Sequence, residues 1–390
     1  MHYSSRVAQL AGTGSDAWNI HFEAEQARSR GEDVIVMSVG DPDFDTPIGV
    51  CEAAISAIRS GDTHYTGIKG RLLLREAIAA KAQKQFGVPA EPENVIVLAG
   101  TQNALFSAAQ CLFEPGDEVI TIDPSYVTYD AAIGASGARL VRVATSPHSG
   151  FRPDIDAVAS AITGKTRGLL FSSPNNPSGV SFTKDELEQL AALAKRHDLW
   201  VLSDEVYSDL IFDGEHKSIA ALPDMAERTV VLSSLSKSHA MTGWRIGWMI
   251  GPAELVEHAE RLALCMLYGL PGFIQQAALA ALTEGQSETQ RMVSTYRSRA
   301  RAAVSALQHV PKISLRAPES GMFVLADVQK TGLSSSEFCQ HLFHEQRVSV
   351  LNGTAFGACC DGFVRLSFAV SDADIEEGCQ RIGSFCNSLA

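Results

Sequence analysis

The sequence has no long hydrophobic segment. No apolar run approaches the roughly 20 residues that a helix needs to cross a bilayer, and residues 1–14 lack the apolar core of a signal peptide. These absences predict a cytoplasmic protein with no membrane partner.

Paired cysteines and clustered basic residues are also missing. The eight cysteines contain no C-x-x-C pair, so no metal site is predicted, and free buried thiols in a reducing compartment are the simplest interpretation. Lys and Arg number 32 against 45 Asp and Glu, a formal net charge of −13. Binding to nucleic acid needs clustered positive charge, so a nucleic-acid partner is not expected.

What is present indicates a two-domain globular protein. Its 390 residues exceed the about 250–300 at which single cores stop growing, and 45% of them are hydrophobic. Short Val-, Ile- and Leu-rich runs alternate with helical patterns, which predicts an α/β fold with a mainly parallel sheet. Seven strands are predicted, at residues 94–99, 118–122, 138–143, 168–172, 199–203, 229–233 and 247–250.

The C-terminal part of the chain has a different pattern. Two long helices are expected at about 252–281 and 286–309, followed by strands interleaved with helices. The predicted strands there are residues 313–315, 322–328, 348–351 and 364–368. We therefore predict a large domain at 47–285 and a smaller α+β domain at 286–390, which the N-terminal segment 1–46 joins.

The densest chemical signal is the segment 233–248, SSLSKSHAMTGWRIGW, which directly follows a predicted strand. Lys237 lies among hydroxyl side chains, with Arg245 eight residues further on. This arrangement suits an amine that attacks a phosphate-bearing aldehyde, with Ser234 and Arg245 contacting the phosphate. The alternative is an ordinary lysine on a surface loop, but the neighbouring Trp244 and Trp248 argue against full exposure.

Asp204 and Tyr207 close another predicted strand, at the edge where α/β sheets bind ligands. A buried carboxylate beside a pyridine nitrogen would keep that nitrogen protonated, so that the ring can accept electrons from a substrate carbanion. Tyr207 could bond a phenolic oxygen of the same ring. A strand-end aspartate can instead cap the following helix.

Two further strands lead into polar turns. Asn176 lies in a turn rich in Pro and Gly, where its amide could donate to a phenolate oxygen. Thr101 and Gln102 open a helix after Gly100, and backbone amides at a helix start suit a phosphate.

These segments, in this order, resemble the class I and II aminotransferases of the type I pyridoxal-phosphate (PLP) fold, over essentially the whole chain. Three more segments carry the resemblance. They are residues 39–47 (VGDPDFDTP), 64–67 (HYTG) and 363–369 (FVRLSFA).

The resemblance implies PLP as cofactor, a homodimer with shared active sites and transfer of an α-amino group to a 2-oxo acid by a ping-pong mechanism. Lys237 would hold the cofactor as a Schiff base and shuttle a proton between Cα and C4′ of the cofactor. Asp204 would pair with the pyridine nitrogen and Tyr126 would stack on the ring. The other implied cofactor contacts are Asn176 and Tyr207 at the phenolic oxygen, Thr101, Gln102, Ser234 and Arg245 at the phosphate, and Tyr65 from the second subunit.

The substrate's α-carboxylate would bind Arg365 through a two-pronged pair, with Gly40 and Asn176 nearby. This contact would orient the Cα–H bond for cleavage. Relatives often carry Trp or Phe at the position of Tyr126, so tyrosine is an acceptable variant there.

Three stretches further resemble the arginine–pyruvate transaminase branch of the family. They are residues 236–248, 212–216 and 263–269. L-arginine or a similar basic amino acid is therefore the expected donor and pyruvate the expected acceptor. Trp18 and Tyr268 are candidate walls for the donor's side chain, and Asp16, Glu23 and Glu215 are candidate acidic partners. His239 is expected to be structural, because Lys237 already provides the proton transfer.

Two alternatives stay open at this point. A β-eliminating carbon–sulfur lyase would share the fold, the lysine and the arginine. A non-catalytic PLP-binding regulator would need a fused DNA-binding segment, and the 39 residues before Gly40 show no helix-turn-helix pattern.

Overall fold

A computed structural model describes residue 10 and residues 15–389 of the chain. The side chains of residues 15 and 16 are not described. The helices are α1 (Asn19–Ser29), α2 (Ile48–Arg59), α3 (Leu72–Phe86), α4 (Thr101–Leu112), α5 (Tyr129–Gly134), α6 (Ile155–Ala161), α7 (Lys184–Arg196), α8 (Ala253–Met266), α9 (Gly272–Glu284), α10 (Gln286–Leu307), α11 (Ser335–Gln346) and α12 (Asp372–Ser388).

The strands fall into three sheets. They are β1 (Ile35–Val36), β2 (Val95–Leu98), β3 (Glu118–Asp123), β4 (Arg139–Ala144), β5 (Thr166–Ser172), β6 (Trp200–Asp204), β7 (Thr229–Ser234), β8 (Gly247–Ile250), β9 (Ser314–Leu315), β10 (Phe323–Asp327), β11 (Val348–Ser349), β12 (Leu351–Asn352) and β13 (Phe363–Ser367).

The large sheet has seven strands in the order β2-β8-β7-β6-β5-β3-β4. Strand β8 runs antiparallel to both of its neighbours, and the other strand pairs are parallel. The predicted seven-stranded, mainly parallel sheet is therefore confirmed. Because β5, β6 and β7 are adjacent and parallel, the residues that follow them meet at one edge of the sheet.

Helix α7 illustrates how the local sequence sets these elements. The side chain of Thr183 accepts from the backbone N–H of Glu186, and the Glu186 side chain accepts from the backbone N–H of Thr183. This capping box satisfies two amide groups that the helix start would otherwise leave unpaired. The apolar face, including Leu187 and Leu190, is buried against the sheet in one core cluster.

The smaller sheet is antiparallel, in the order β12-β13-β10-β9, and a two-stranded parallel sheet joins β1 to β11. A second core cluster links Ile35 and Met37 of the N-terminal segment to α10, α11 and α12. The division into domains at residues 46 and 285 stays a prediction.

Two predicted elements were wrong in extent. The helix expected at 252–281 is two helices, α8 and α9, separated at residues 267–271, because Pro271 lacks an N–H and disfavours helical geometry in the residue before it. The strand expected at 348–351 is divided between β11 and β12, which pair with β1 and β13 respectively.

No helix among the described residues has both the length and the apolar character needed to cross a membrane. In the same part of the chain, no group of three or more His, Cys, Asp or Glu side chains is arranged to hold a metal ion.

Candidate active site

A cavity of about 320 Å³ lies at the edge of the large sheet where β5, β6 and β7 end. It brings together residues that are far apart in the sequence. The predicted site residues that line it are Trp18, Gly40, Thr101, Gln102, Tyr126, Asn176, Asp204, Tyr207, Ser234, Lys237, Arg245 and Arg365.

Lys237 follows β7 and reaches into this cavity. Its Nζ donates a hydrogen bond of 2.7 Å to the carbonyl oxygen of Gly40. Burial lowers the pKa of Lys237 to about 8; the charge of Asp41 raises it, and those of Arg365 and Arg245 lower it further. An amine with this pKa is partly neutral near pH 7 to 8, which is the form that acts as a nucleophile.

Asp204 ends β6 and is 7% exposed. Its Oδ2 accepts from the hydroxyl of Tyr129 at 2.8 Å, and its Oδ1 accepts from the backbone N–H of Val206 at 3.2 Å. Burial raises the pKa of Asp204 to about 6, against the lowering effect of these two hydrogen bonds. A cation placed beside this carboxylate would favour its charged form, as a protonated pyridine nitrogen does.

Tyr129 was missed in the sequence analysis. It begins α5, is fully buried and holds Asp204 in position. Burial, and then the neighbouring carboxylate of Asp204, raise its pKa well above the ordinary value, so it stays a hydroxyl donor. Its place three residues after Tyr126 was the only signal available.

Arg365 lies on β13 and is 1% exposed. Its Nη1 donates to Oδ1 of Asn176 at 2.9 Å and its Nη2 to the carbonyl oxygen of Ser38 at 2.7 Å. The guanidinium carbon lies 4.1 Å from the ring centroid of Phe323 and 4.9 Å from that of Phe356. Burial lowers its pKa to about 10, a sign of the desolvation cost of this charge.

Among the described residues the Arg365 guanidinium forms no ion pair with a carboxylate, and its Nε has no hydrogen-bond partner. Buried arginines are usually paired with an anion, because an unpaired buried charge is costly. Arg365 is therefore suited to an anionic ligand, and its planar fork matches a carboxylate.

Asn176 and Tyr207 lie side by side at the end of the cavity. The Asn176 amide nitrogen is 3.5 Å from the hydroxyl of Tyr207, and both side chains are buried. They are placed to donate together to one acceptor atom, as the resemblance implies for a phenolic oxygen.

The start of α4 provides a second anion site. Gly100 has φ +87°, a backbone conformation that favours glycine, and the Arg245 guanidinium lies 2.6 Å from where a Cβ would be. The Thr101 hydroxyl is buried and has no partner among the described residues. Arg245 is held over this turn by hydrogen bonds from Nη1 to the carbonyl of Thr242 and from Nη2 to the carbonyl of Ala99.

Ser234 and Gln102 complete this side of the cavity. The Ser234 hydroxyl accepts from the backbone N–H of Ser236 at 3.3 Å, and the Gln102 side-chain oxygen accepts from the Thr128 hydroxyl at 2.7 Å. An unsatisfied hydroxyl, a helix start and an arginine together fit a phosphate group. With the buried carboxylate of Asp204 on the other side, the residues present fit pyridoxal phosphate.

Trp18 and Tyr126 form an aromatic side of the cavity. Both pack in one apolar cluster, with Val39 beside them. Tyr65 lies elsewhere: it is 88% exposed, and its ring centroid is 5.3 Å from that of Tyr268.

The candidate acidic partners are not brought into the cavity where they are described. The carboxylate of Glu23 is 3.8 Å from the His344 ring, and that of Glu215 is 2.9 Å from the Lys217 amine. The side chain of Asp16 lies outside the described residues. Asp41 lines the cavity instead and was not considered in the sequence analysis, although it lies within the GDPDF motif.

His239 is 3% exposed and does not line this cavity. Its Nδ1 is 2.8 Å from the hydroxyl of Ser238, and its Nε2 is 3.3 Å from that of Thr289. These contacts tie the loop after Lys237 to α10.

Comparison with known families gives a match over most of the chain. The pattern of the family described as aminotransferase class I and II matches residues 32–382. The chain is 48% identical over 382 residues to the arginine–pyruvate transaminase AruH of Pseudomonas aeruginosa, covering 98% of this chain and 97% of that protein.

More distant relatives carry other names. The aspartate aminotransferase of Thermotoga maritima is 34% identical, over 96% of this chain and 97% of that protein. Among solved structures, the Thermus thermophilus aspartate aminotransferase with maleate has a TM-score of 0.93 at 34% identity, covering 98% of this chain and 99% of that one. An aromatic aminotransferase from Pyrococcus horikoshii has a TM-score of 0.89 at 35% identity, covering 93% and 98%.

Proposed function

The chain belongs to the class I and II aminotransferases, and we propose that its amino donor is L-arginine or a similar basic amino acid and its acceptor pyruvate. It is a PLP-dependent transaminase of the type I fold, and its substrates are amino acids and 2-oxo acids. The observation that supports the proposed donor is the 48% identity to the arginine–pyruvate transaminase over 98% of the chain.

When bound, pyridoxal phosphate provides the electron sink that stabilises negative charge at the substrate's Cα. We propose that Lys237 links to this cofactor and moves the proton between Cα and C4′. Its lowered pKa supports both roles, because a partly neutral amine can attack and can also accept a proton.

We propose that the remaining residues bind and orient. Asp204 would hold the proton on the pyridine nitrogen, with Tyr129 fixing the carboxylate. Asn176 and Tyr207 would donate to the phenolic oxygen. The proposed phosphate contacts are Thr101, Gln102, Ser234 and Arg245, and Tyr126 is the proposed stacking ring.

Arg365 is the proposed site of the α-carboxylate, assisted by Asn176 and Gly40. The support is its burial without an anionic partner among the described residues. A carboxylate held at this point fixes the rotation about the bond to Cα, so that the Cα–H bond is the one activated.

A homodimer is proposed as the active form. Several large apolar side chains are exposed: Tyr65 is 88% exposed, Tyr268, whose ring lies against that of Tyr65, 56%, Leu73 65% and Ile48 75%. The exposed Tyr65–Tyr268 pair is apolar surface of the kind that a protein–protein interface covers. We propose that a second copy covers it and that Tyr65 reaches the phosphate of that copy; sedimentation equilibrium would measure the assembly. The cytoplasmic location expected from the sequence stays a prediction.

The lyase and regulator alternatives are not favoured, since the relatives named above are all transaminases. A donor panel with pyruvate as acceptor tests the proposed reaction, with alanine and the donor's keto acid as the measured products. We expect the largest kcat/KM with L-arginine among basic, acidic, aromatic and neutral donors. Release of pyruvate and ammonia from cystathionine without transfer would contradict it, and so would a higher kcat/KM with L-aspartate.

A further inference from the structure

The charged side chains of the site cavity do not all have a role in the scheme above. Lys237, Arg245 and Arg365 are assigned to the cofactor or to the α-carboxylate, and Asp204 to the pyridine nitrogen. Among the described residues that line the cavity, the one acidic side chain left without a role is Asp41.

Asp41 directly follows Gly40, whose carbonyl oxygen accepts the hydrogen bond from the Lys237 amine at 2.7 Å. Its own Oδ1 accepts from the hydroxyl of Thr242 at 2.7 Å, which ties it to the loop that carries Lys237 and Arg245. Within residues 15–389, its Oδ2 accepts no hydrogen bond. One carboxylate oxygen is therefore held in place, and the other can accept from a ligand.

The charge balance of the cavity makes this carboxylate important for a basic donor. The cavity is lined by three cations, Lys237, Arg245 and Arg365. In the scheme above these three pair with the cofactor and the α-carboxylate, so a cationic side chain needs an anionic partner of its own to offset its loss of hydration. An aromatic face also attracts a guanidinium, and Trp18 lines the same cavity.

We propose that Asp41 binds the cationic end of the donor's side chain and is the residue that selects basic amino acids, an inference that rests on the proposed function. The charge-assisted hydrogen bond would run from the donor's guanidinium to Oδ2, while Thr242 positions the carboxylate. A neutral side chain of the same length gains no such contact.

L-citrulline tests this role because it has nearly the shape of L-arginine without the charge. The measurement is the ratio of kcat/KM for L-arginine to that for L-citrulline, with pyruvate as acceptor, in the wild-type holoenzyme and in Asp41→Asn. Asp41 is exposed, so we expect the wild type to prefer arginine and the variant to lower the ratio by about 2- to 5-fold, the size of an ion pair at an exposed carboxylate.

Glu215→Gln is the matched control. It removes one negative charge from a side chain that is 81% exposed and does not line the cavity, so the wild-type ratio should remain. If Asp41→Asn folds poorly, as judged by thermal unfolding and by the visible absorption of the bound cofactor, Thr242→Val tests the same contact. That variant should lower the ratio in the same direction by a smaller factor.

The outcomes separate the two proposals. If the wild type prefers arginine but Asp41→Asn lowers kcat/KM equally for both donors, Asp41 acts through the charge state of Lys237 and its role in selection is wrong. If the wild type shows no preference for arginine, the proposed donor is wrong and the role of Asp41 falls with it.

Discussion

Two cavities of this protein differ in how well their charged groups are paired. The larger, of about 750 Å³, lies between α3, α9 and α10 and is lined by Lys81, Asp209 and His239. There the Lys81 amine is 2.7 Å from the Asp209 carboxylate, which also accepts from the Gln85 amide at 2.9 Å. The acid and the amine that face each other in this cavity are already paired. Arg297 also lines it and has no ion pair among the described residues, but this side chain is only half-buried.

The smaller cavity, of about 320 Å³, has the opposite character. Arg365 is almost fully buried without an anionic partner among the described residues, and the Thr101 hydroxyl is unbonded there. Because a fully buried charge is costly unless a ligand satisfies it, the depth at which an unpaired charge is buried identifies the functional cavity better than volume does.

The strongest test of this difference is Lys237→Ala. The variant should lose covalent attachment of the cofactor and lower kcat for transamination by about 10²- to 10⁴-fold, the contribution of a positioned proton carrier. Visible absorption after gel filtration and single-turnover kinetics measure the two effects. Activity close to that of the wild type would refute the proposed role of Lys237.

A smaller effect is expected from pH. Because burial lowers the pKa of Lys237 to about 8, the neutral amine is scarce at pH 6 and about half populated at pH 8. The rate at which the apoenzyme takes up pyridoxal phosphate should therefore rise about 50-fold between these values and level off above them. Stopped-flow absorbance measures this rate; a rise that continues to pH 10 would contradict the lowered pKa.

The smallest catalytic effect is expected in the larger cavity. Lys81→Met should change kcat/KM by less than about twofold but lower the free energy of unfolding by about 1–3 kcal/mol, because Asp209 loses its partner while remaining buried. Denaturant titration measures the loss, with Lys84→Met, at the same cavity, as the control.

The same variant has a predicted pH signature. Burial alone would raise the pKa of Asp209, but the charge of Lys81 and its hydrogen bond keep that pKa lowered. The wild type therefore gains stability from this pair above the ordinary aspartate pKa and loses the gain as pH falls through the lowered value. Lys81→Met should flatten that dependence, and an equal acid sensitivity in both proteins would exclude the pair as its source.

Sequence patterns were sufficient to predict the strands of the large sheet and the segments that form the site. Apolar runs of four to six residues predicted its seven strands, because the strands of a sheet covered on both faces are apolar throughout. Pro271 indicates the break between α8 and α9, but the apolar pattern continues on both sides of it and led to the prediction of one long helix.

The pairing inside the site depended on the tertiary structure. Asn176 and Arg365 are 189 positions apart, and Asp204 meets Tyr129 across 75 positions. These contacts join the residues at the ends of β5 and β6 to β13 of the smaller sheet and to α5, an arrangement that local patterns do not encode. The sequence alone thus determined which residues have side chains suited to the chemistry. How distant segments pack decided that Asp41 lines the cavity and that Arg365 is buried without an anionic partner.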